Sequence, residues 1–391
     1  MKILILGSGL MGPAAAFNAM SNPEVSQVII ADASQEQLQW GLNRLQDKPG
    51  ADKLGVVWLD LNNQKAATRL MANFEAIVAA LPQAASPLGL RAALQAGKPL
   101  IDLTMPPEAE LPALQALAEQ AGSQAILGCG LEPGLTEIVA RRLAEQLDRV
   151  DELHIKCGGI PERPTPPLGY KIVFGGKKLP LRETEAREVI DGQLRPAPRY
   201  SGVEPVTFGG VGECEAYHEG FMPWLLELPE FQNLKAGTQK TVRWPGYAAK
   251  VTVLKEVGLL SQAPIQVNGV EVVPKQVLDA LLYDRVRLGE GEGDITTFRV
   301  ELLGQKANRP YRLQAEMVDR YDPVLGFTSM ARTTAFTGAI VARMAARGDL
   351  PQRSGLIHPE QVIHGPLFDR LLQELAAVGI QFQISGAERS L

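Results

Sequence analysis

Residues 1–32 read MKILILGSGLMGPAAAFNAMSNPEVSQVIIAD, and they decide the fold of the N-terminal part of the chain. A short apolar strand over residues 3–6 runs into the pattern G-x-G-x-x-G, a helix over residues 13–20 follows, and a second apolar strand ends in Asp32. The first glycine of such a pattern allows a tight turn, the second lets the backbone approach a pyrophosphate, and the third lets the helix pack on the strand. The free N–H groups at the helix start attract phosphate. We therefore expect a dinucleotide at the residues of this turn, which are Gly7, Ser8, Gly9, Leu10, Met11 and Gly12.

Asp32 indicates which dinucleotide binds. It lies twenty residues after Gly12, where a carboxylate can accept hydrogen bonds from both hydroxyls of an adenine ribose. A carboxylate would repel a 2′-phosphate, and the neighbours Ala33 and Ser34 bring no arginine. We therefore expect NAD as the cofactor rather than NADP. The alternative, a glycine turn that binds nothing, is disfavoured because strand, helix and acid all agree with the dinucleotide pattern.

Composition excludes several classes of partner. The chain has 391 residues, of which 45% are hydrophobic and 21% charged, as in a globular protein of two or three domains. A net charge of −5 gives no basic surface for nucleic acid. The three cysteines form no C-x-x-C pair and the four histidines are scattered, so we expect a reducing cytoplasm and no metal. The first residues already form a strand and no apolar run reaches the ~20 residues that span a bilayer, so we expect no signal peptide and no membrane partner.

Strands and helices alternate up to residue 127, which predicts a Rossmann fold with a doubly wound parallel sheet. Ligands on such sheets bind at the carboxyl ends of the strands. Further cofactor contacts are therefore expected at the ends of the third, fourth and fifth strands, at Asp60, Leu81, Pro82 and Thr104.

From Val150 the pattern changes to β-rich segments, which predict a second α+β domain with a mostly antiparallel sheet. Asn268-Gly269 predicts a hairpin within residues 265–273, and residues 296–303 and 311–318 predict an antiparallel pair. From residue 329 the pattern is helical again. We predict an NAD-binding domain over residues 1–133, a substrate-binding and dimerisation domain over 134–328, and C-terminal helices over 329–391 that pack back on the Rossmann domain.

Three later segments contain residues that could carry chemistry. Glu132 lies on a glycine-rich turn between a strand and a helix, where an acid often caps the helix instead. Cys157 opens the run C-G-G-I-P, although a buried cysteine is more often a core residue than a reactive one. Arg243 lies beside Trp244, Pro245 and Gly246, and alone it would be read as a salt-bridge partner before a substrate clamp.

Together with other motifs, these segments resemble the saccharopine dehydrogenase-like oxidoreductases, and within that family most of all the L-lysine 6-dehydrogenases. The resemblance covers almost the whole chain. It rests on six motifs, namely GSGLMG at 7–12, GLEPGL at 130–135, CGGIP at 157–161, PPLGYKIVF at 166–174, TVRWPGYAAK at 241–250 and GFTSMARTTAF at 326–336.

The resemblance implies roles for matching residues. Glu132 and Cys157 are implied as catalytic, and Arg243 is implied to face a substrate carboxylate, with Tyr170 and Arg332 as further substrate contacts. Three positions differ from other members of the family. Glu132 is a glutamate where the saccharopine-forming members have an aspartate. Thr104 stands where the family often has a tyrosine, and Asp32 departs from the NADP-preferring members and agrees with the NAD-using ones.

The expected function is NAD-dependent oxidation of the C–N bond of an amino acid, most of all the ε-amine of L-lysine, which gives a semialdehyde that cyclises. Glu132 is the expected base, because an ammonium of pKa ~10.4 must lose its proton before hydride can leave. The resemblance implies a homodimer or a higher homo-oligomer. One alternative is saccharopine dehydrogenase, whose substrate has three carboxylates and would need further cations such as Lys171, Arg299 and Arg332. Another is a non-catalytic NAD-binding redox sensor.

Overall fold

The computed structural model describes residues 1–174, 176–289 and 291–388. Its strands are β1 (Lys2–Leu6), β2 (Gln27–Asp32), β3 (Leu54–Trp58), β4 (Ala76–Ala79), β5 (Leu100–Asp102), β6 (Gln124–Ile126), β7 (Arg149–Pro161), β8 (Ala186–Ile190), β9 (Gln193–Ala197), β10 (Glu204–Phe208), β11 (Gly212–His218), β12 (Ala236–Arg243), β13 (Ile265–Val267), β14 (Val270–Val272), β15 (Asp294–Lys306), β16 (Arg309–Arg320), β17 (Gly355–Ile357) and β18 (Gln383–Glu388). Its α-helices are α1 (Gly12–Met20), α2 (Gln35–Leu45), α3 (Gln64–Met71), α4 (Ser86–Gln95), α5 (Leu111–Ala121), α6 (Leu135–Ala144), α7 (Tyr247–Glu256), α8 (Pro274–Val286), α9 (Ser329–Arg347) and α10 (Pro366–Ala377).

The chain forms two compact units. The first contains Met1–Ile138 and Ala331–Gly379, and the second contains Val139–Met330 and the chain from Ile380 onward. The sequence predicted boundaries after residues 133 and 328, and it assigned residues 329–391 to helices on the first unit. In the structure, residues 380–388 group with the second unit, and residues 389–391 lie outside the described residues.

The first unit is built on a parallel sheet of seven strands in the order β17-β6-β5-β4-β1-β2-β3. β1 lies inside this sheet, and its residues 3–6 are buried because neighbouring strands and helices cover them on all sides. This burial explains the uninterrupted apolar run that predicted the strand. The order reverses between β1 and β4, the point at which doubly wound sheets bind ligands. The predicted Rossmann fold is confirmed.

The turn between β1 and α1 requires glycine at two of its positions. Gly7 has a φ of +94°, and a Cβ there would lie 2.5 Å from the Ala80 carbonyl oxygen at the end of β4. A Cβ on Gly12 would lie 1.9 Å from the carbonyl oxygen of Gly7. The first and third glycines of the pattern are therefore fixed by backbone packing, independently of any ligand.

The second unit contains a sheet of nine strands, whose main path runs β10-β11-β12-β7-β15-β16-β18, with β8 on β12 and β9 on β8. Among the strand pairs of this sheet that the structure describes, only β12 and β7 are parallel, so the prediction of a mostly antiparallel sheet is confirmed. The sequence did not predict β18. All its residues are exposed, and it contains Ser385 and Gly386, which give little strand signal.

The predicted hairpin is also confirmed, because β13 and β14 pair in antiparallel register around Asn268 and Gly269. Both turn residues have positive φ, at +51° and +80°, as a two-residue hairpin turn requires. No helix in the described part of the chain is long and apolar enough to cross a membrane.

Candidate functional site

The glycine turn of the first unit presents an open anion-binding position. A Cβ on Gly9 would meet no described atom within 4 Å, and Gly9 and Leu10 are exposed. No side chain among the described residues caps α1, so the first-turn N–H groups of that helix remain available to an anion. The middle glycine is thus the one whose missing side chain leaves space for a ligand.

Asp32 is held in place by two backbone N–H groups. Its Oδ2 accepts a hydrogen bond from Ser8 N at 2.7 Å, and its Oδ1 accepts one from Ser34 N at 2.8 Å. A carboxylate has about four lone-pair sites, so the half-buried group can accept further hydrogen bonds from a ligand. The arrangement fits ribose hydroxyls and adds no cation that would attract a 2′-phosphate.

Ser8 uses both of its donors inside the protein. Its N–H donates to Asp32, and its hydroxyl donates to the Gln37 carbonyl oxygen at 2.7 Å. Sequence reasoning missed Gly41 on α2, where a Cβ would lie 2.3 Å from the Ser8 Oγ. Gly41 therefore lets α2 approach the turn. We assign to Ser8 the positioning of Asp32, whereas its contact with a cofactor stays a prediction.

The remaining predicted cofactor residues lie at the carboxyl ends of the strands. Asp60 follows β3 and is half-buried, with its Oδ1 accepting from Asn62 N at 2.9 Å. Pro82 is exposed after β4, and Leu81 is half-buried. Sequence reasoning also missed Trp58, which ends β3 beside Asp32 with its side chain 54% exposed and its indole N–H donating to Ala33 O at 2.8 Å. An exposed aromatic ring at this edge offers a flat apolar surface to a ligand.

Thr104, after β5, is positioned by the fully buried acid Asp102. Thr104 N donates to Asp102 Oδ1 at 2.9 Å, and the Ser86 hydroxyl at the start of α4 donates to Oδ2. Burial raises the pKa of the Asp102 carboxyl to about 7, although both hydrogen bonds act in the opposite direction. This acid therefore titrates near neutrality and links α4 to the edge of the sheet.

The turn before α6 contains two acids with different surroundings. Glu137 is fully buried, and its Oε2 accepts hydrogen bonds from Gly134 N at 2.6 Å and from the Thr136 hydroxyl at 2.7 Å. Glu132 is half-buried and lies between Gly130 and Gly134, which form an isolated bridge. The N–H of Gly134, just before α6, thus donates to Glu137, which sequence reasoning did not single out. The catalytic role of Glu132 stays a prediction.

Arg243, at the end of β12 in the second unit, is buried among aromatic rings. It is only 5% exposed, and within the described residues its Nη1 donates a hydrogen bond to the carbonyl oxygen of Val242 at 2.8 Å. The guanidinium carbon lies 4.9 Å from the ring centre of Tyr170 and 5.6 Å from that of Tyr247. The Nε has no hydrogen-bond partner among the described residues. No carboxylate of the described residues forms an ion pair with this buried guanidinium, so it lacks a directly bound anion there.

The surrounding tyrosines cannot supply that anion. Burial raises the pKa of Tyr170, Tyr217 and Tyr247, so their hydroxyls are neutral at pH 7. Tyr217 stacks on Tyr247 with ring centres 5.8 Å apart, and Tyr170 meets Tyr247 at 5.7 Å. The Tyr170 hydroxyl is fully buried and has no hydrogen-bond partner in the described chain. The Nε of Arg243 and the hydroxyl of Tyr170 are thus two buried donors without a partner in the described chain, on side chains that contact each other. We call Arg243 together with the rings of Tyr170, Tyr217 and Tyr247 the tyrosine cage.

The acids near the tyrosine cage are already used elsewhere. Glu219 pairs with Arg199, and Glu215 accepts hydrogen bonds from Gly246 N at 2.7 Å and Ala248 N at 2.6 Å. Glu215 therefore caps the start of α7 from the neighbouring strand β11. Neither Glu215 nor Tyr217 gave a local signal in the sequence, whereas Tyr247 lies in the same R-W-P-G-Y segment as Arg243.

Two sequence motifs meet at Arg243. The indole N–H of Trp244 donates to the Pro161 carbonyl oxygen at 2.9 Å, which ties β12 to the end of C-G-G-I-P on β7. A Cβ on Gly158 would lie 2.3 Å from Val242 O and 2.9 Å from Arg243 Nη1. The glycine thus makes room for the guanidinium. Cys157, fully buried, lies opposite Thr241 in the same strand pair, and its predicted catalytic role stays open.

The other cations that could bind a carboxylate already have partners. Lys171 pairs with Glu292 at 3.0 Å, and Arg299 pairs with Glu316 at 2.6 Å. Arg332 belongs to the first unit, on α9, and its Nη2 donates to the Val378 carbonyl oxygen at 2.8 Å. Its predicted contact with a substrate stays a prediction.

Comparison with protein-family profiles identifies the class. Residues 3–126 match the saccharopine dehydrogenase NADP binding domain, and residues 130–380 match the saccharopine dehydrogenase C-terminal domain. The chain belongs to the saccharopine dehydrogenase family, as the sequence motifs implied.

The named relatives share little sequence identity with the chain. The chain is 22% identical to the carboxyaminopropylagmatine dehydrogenase of Synechocystis, over 95% of each protein. It is 24% identical to the carboxynorspermidine synthase of Vibrio cholerae, over 69% of this chain and 64% of that enzyme, so it spans less than two thirds of that relative. The solved structure of saccharopine dehydrogenase (L-Glu forming) from Saccharomyces cerevisiae has the same fold, with a TM-score of 0.79, 17% identity and 99% of each chain covered.

The buried acid Asp102 makes the stability of the protein depend on pH. Because its pKa is raised from 3.8 to about 7 on folding, the folded state binds more protons between these values, and the free energy of unfolding falls as pH rises through this window. In Asp102→Asn this contribution is absent, so the advantage of wild type over the variant should shrink from pH 4.5 to 8. Urea denaturation across that range measures it. The exposed Asp47→Asn is the control and should keep the wild-type slope; equal slopes in all three proteins would contradict the assignment.

Proposed function

We propose that the protein is an NAD-dependent oxidoreductase that acts on the C–N bond of an amino acid, with the ε-amine of L-lysine as the reacting group. The observation that carries this proposal is the buried guanidinium of Arg243, which has no ion pair in the described chain and lies over the ring of Tyr170, whose buried hydroxyl also has no partner there. Arginine binds a carboxylate with a planar pair of hydrogen bonds. An α-carboxylate held there would receive donors from both residues and would neutralise the buried charge.

The surroundings favour a substrate with one carboxylate over one with three. Lys171 and Arg299 are paired with glutamates of the chain, so binding a ligand carboxylate there would first require breaking an ion pair. Arg243, in contrast to these two cations, is buried and forms no ion pair with a carboxylate of the described chain. This difference favours lysine over saccharopine. The names of two relatives, carboxynorspermidine synthase and carboxyaminopropylagmatine dehydrogenase, also denote carboxylated amines.

The first unit fits a dinucleotide. Gly9 leaves open space at the uncapped start of α1, and Asp32 offers acceptors for ribose hydroxyls while it disfavours a 2′-phosphate. We propose NAD as the cofactor on this basis. Bound NAD would supply the hydride acceptor. All three cysteines are free and buried, which is consistent with a protein of the reducing cytoplasm.

Glu132 is the proposed base. Hydride leaves the carbon only when the lone pair of a neutral amine can form the C=N bond, so the ammonium must first give a proton to the enzyme. A half-buried glutamate on a turn at the carboxyl side of β6 suits that task, and Cys157 would assist proton transfer or shape the pocket. Water then adds to the imine, ammonia leaves, and the semialdehyde cyclises.

The test of the substrate clamp is Arg243→Lys with two amines. Lysine cannot reproduce the planar fork, so the KM for L-lysine should rise about tenfold or more, equivalent to ~1.4 kcal/mol of binding. The KM for NAD should stay near wild type. Cadaverine, which lacks the carboxylate, should be a poor substrate of wild type. The substitution should raise its KM much less than it raises the KM for L-lysine.

Arg299→Lys is the matched control, since Arg299 lies in the same sheet but is paired with Glu316. Its KM for lysine should be unchanged. Equal penalties of Arg243→Lys on both amines would mean that Arg243 supports only the fold. A panel of amino acids should also be assayed with NAD by the absorbance of the reduced nicotinamide. If the protein binds the cofactor but oxidises none of them, this result would favour the redox sensor.

The test of the base is Glu132→Gln, which keeps the size of the side chain but cannot accept a proton. We expect kcat to fall about 10²- to 10⁴-fold, with little change in NAD affinity measured by fluorescence. Turnover near wild type would refute the catalytic assignment of Glu132.

The test of cofactor choice is Asp32→Ala, with Kd values for NADH and NADPH taken from fluorescence titration. Wild type should bind NADH at least tenfold tighter, and the variant should bind NADH more weakly and discriminate less. Glu36→Ala removes an equal charge from the first turn of α2 and should keep the wild-type preference. Equal affinity of wild type for both cofactors would show that the interpretation of Asp32 is wrong.

A further inference from the structure

Trp58 is an exposed aromatic residue at the edge of the first unit's sheet. It ends β3, the last strand in the sheet order, and it is 54% exposed. A tryptophan with more than half of its surface in water contributes little to an apolar core. Core packing therefore does not explain why a large ring stands at this position.

The end of β3 holds two successive carbonyl groups of the chain after β2. The indole Nε1–H of Trp58 donates to the carbonyl oxygen of Ala33 at 2.8 Å. The backbone N–H of Leu59 donates to the carbonyl oxygen of Asp32 at 3.0 Å. Trp58 also lies opposite Asp32 in the register of the two strands. The indole is thus the side chain through which β3 restrains the segment that follows Asp32.

The carbonyl group that the indole holds belongs to the same peptide unit as a donor to Asp32. This unit joins Ala33 to Ser34, and the N–H of Ser34 donates to Asp32 Oδ1 at 2.8 Å. A trans peptide unit is planar, and its C=O and N–H point in opposite directions. Fixing the carbonyl oxygen of Ala33 from one side therefore aims the N–H of Ser34 at the carboxylate on the other side.

Other contacts restrain the carboxylate differently. The N–H of Ser8 donates to Oδ2 of Asp32 at 2.7 Å and leaves Oδ1 to the N–H of Ser34. The hydroxyl of Ser34 accepts a longer bond of 3.3 Å from Gln37 N, which caps α2. The shorter bond from Trp58 acts directly on the peptide unit that carries the donor to Oδ1.

We infer that Trp58 is a positioning residue that sets the cofactor preference through Asp32. The inference rests on the proposed binding of NAD. A carboxylate with one oxygen on each N–H presents its remaining lone pairs to ribose hydroxyls, and its charge stays next to the place that a 2′-phosphate would take. When the carboxylate turns away, the attraction to the hydroxyls and the repulsion of the phosphate both decrease. Trp58 therefore acts on the ratio of the affinities for NADPH and NADH.

The experiment compares Trp58→Phe with Trp58→His, using Kd values for NADH and NADPH from fluorescence titration at pH 8. Phenylalanine keeps an aromatic ring but has no N–H. Histidine lacks the outer ring of the indole, but its Nε2–H can take the place of the indole N–H, and the imidazole is neutral at this pH. The ratio of the Kd for NADPH to the Kd for NADH should fall about fivefold in Trp58→Phe, as expected for one lost hydrogen bond. In Trp58→His it should stay near the wild-type value.

Trp40→Phe is the matched control. Trp40 lies on α2 in the same unit, and its ring contacts Arg44. The substitution removes an indole N–H without touching the peptide unit after Ala33, so the ratio of the two Kd values should remain that of wild type.

A second arm repeats Trp58→Phe in the Asp32→Ala background. If the indole acts through Asp32, the ratio should not fall further once the carboxylate is absent, because the two substitutions then remove the same interaction. An equal fall in both backgrounds would show that the indole acts on the ligand by another route, and this result would overturn the inference.

The inference is also overturned by an unchanged ratio in Trp58→Phe or by an equal fall in Trp58→Phe and Trp58→His. If far-UV circular dichroism shows that Trp58→Phe is unfolded, Trp58 belongs to the fold and the positioning role is rejected. These outcomes leave the proposed cofactor intact as long as wild type prefers NADH. A wild type that binds both cofactors equally contradicts the proposed function itself, and the inference with it.

Discussion

A guanidinium buried without an internal anion is the constraint around which the second unit is organised. Removing a charge from water costs several kcal/mol even after relaxation. The chain offsets part of this cost with two aromatic faces, each contributing ~0.5–2 kcal/mol, and with one backbone carbonyl. The rest of the local structure follows from the same need, since Gly158 clears the space, Trp244 ties the strand end, and Glu215 caps the helix that carries Tyr247.

The first unit meets a different constraint, which is backbone crowding at the turn after β1. Gly7 and Gly12 are required by carbonyl oxygens that approach closely, and Gly41 is required because α2 approaches Ser8. Asp32 is oriented by N–H groups from both sides of this crowded region. The open position at Gly9 is therefore framed by residues whose conformations are already determined without a ligand.

How far the sequence could predict the protein depends on the range of the contacts involved. The Rossmann sheet and the Asn268-Gly269 hairpin were predictable because each is encoded by neighbouring residues. The resemblance named Arg243 and Tyr170, but their grouping with Tyr217 and Tyr247 was not predictable, because these residues come from separate elements that only the folded chain brings together. Glu215 was missed for the same reason, because it caps the start of α7 from the neighbouring strand β11.

The tyrosine cage has a consequence for the abundance of the protein in a cell. If the proposed carboxylate binds at Arg243, the ligand completes the core of the second unit, and the unit is least stable when empty. Ligand binding stabilises a fold by RT ln(1 + [L]/Kd), about 2.7 kcal/mol at a hundredfold excess over Kd. Chains lacking ligand would unfold more often and reach proteases sooner. The supply of the metabolite would then set how long each copy of the protein survives.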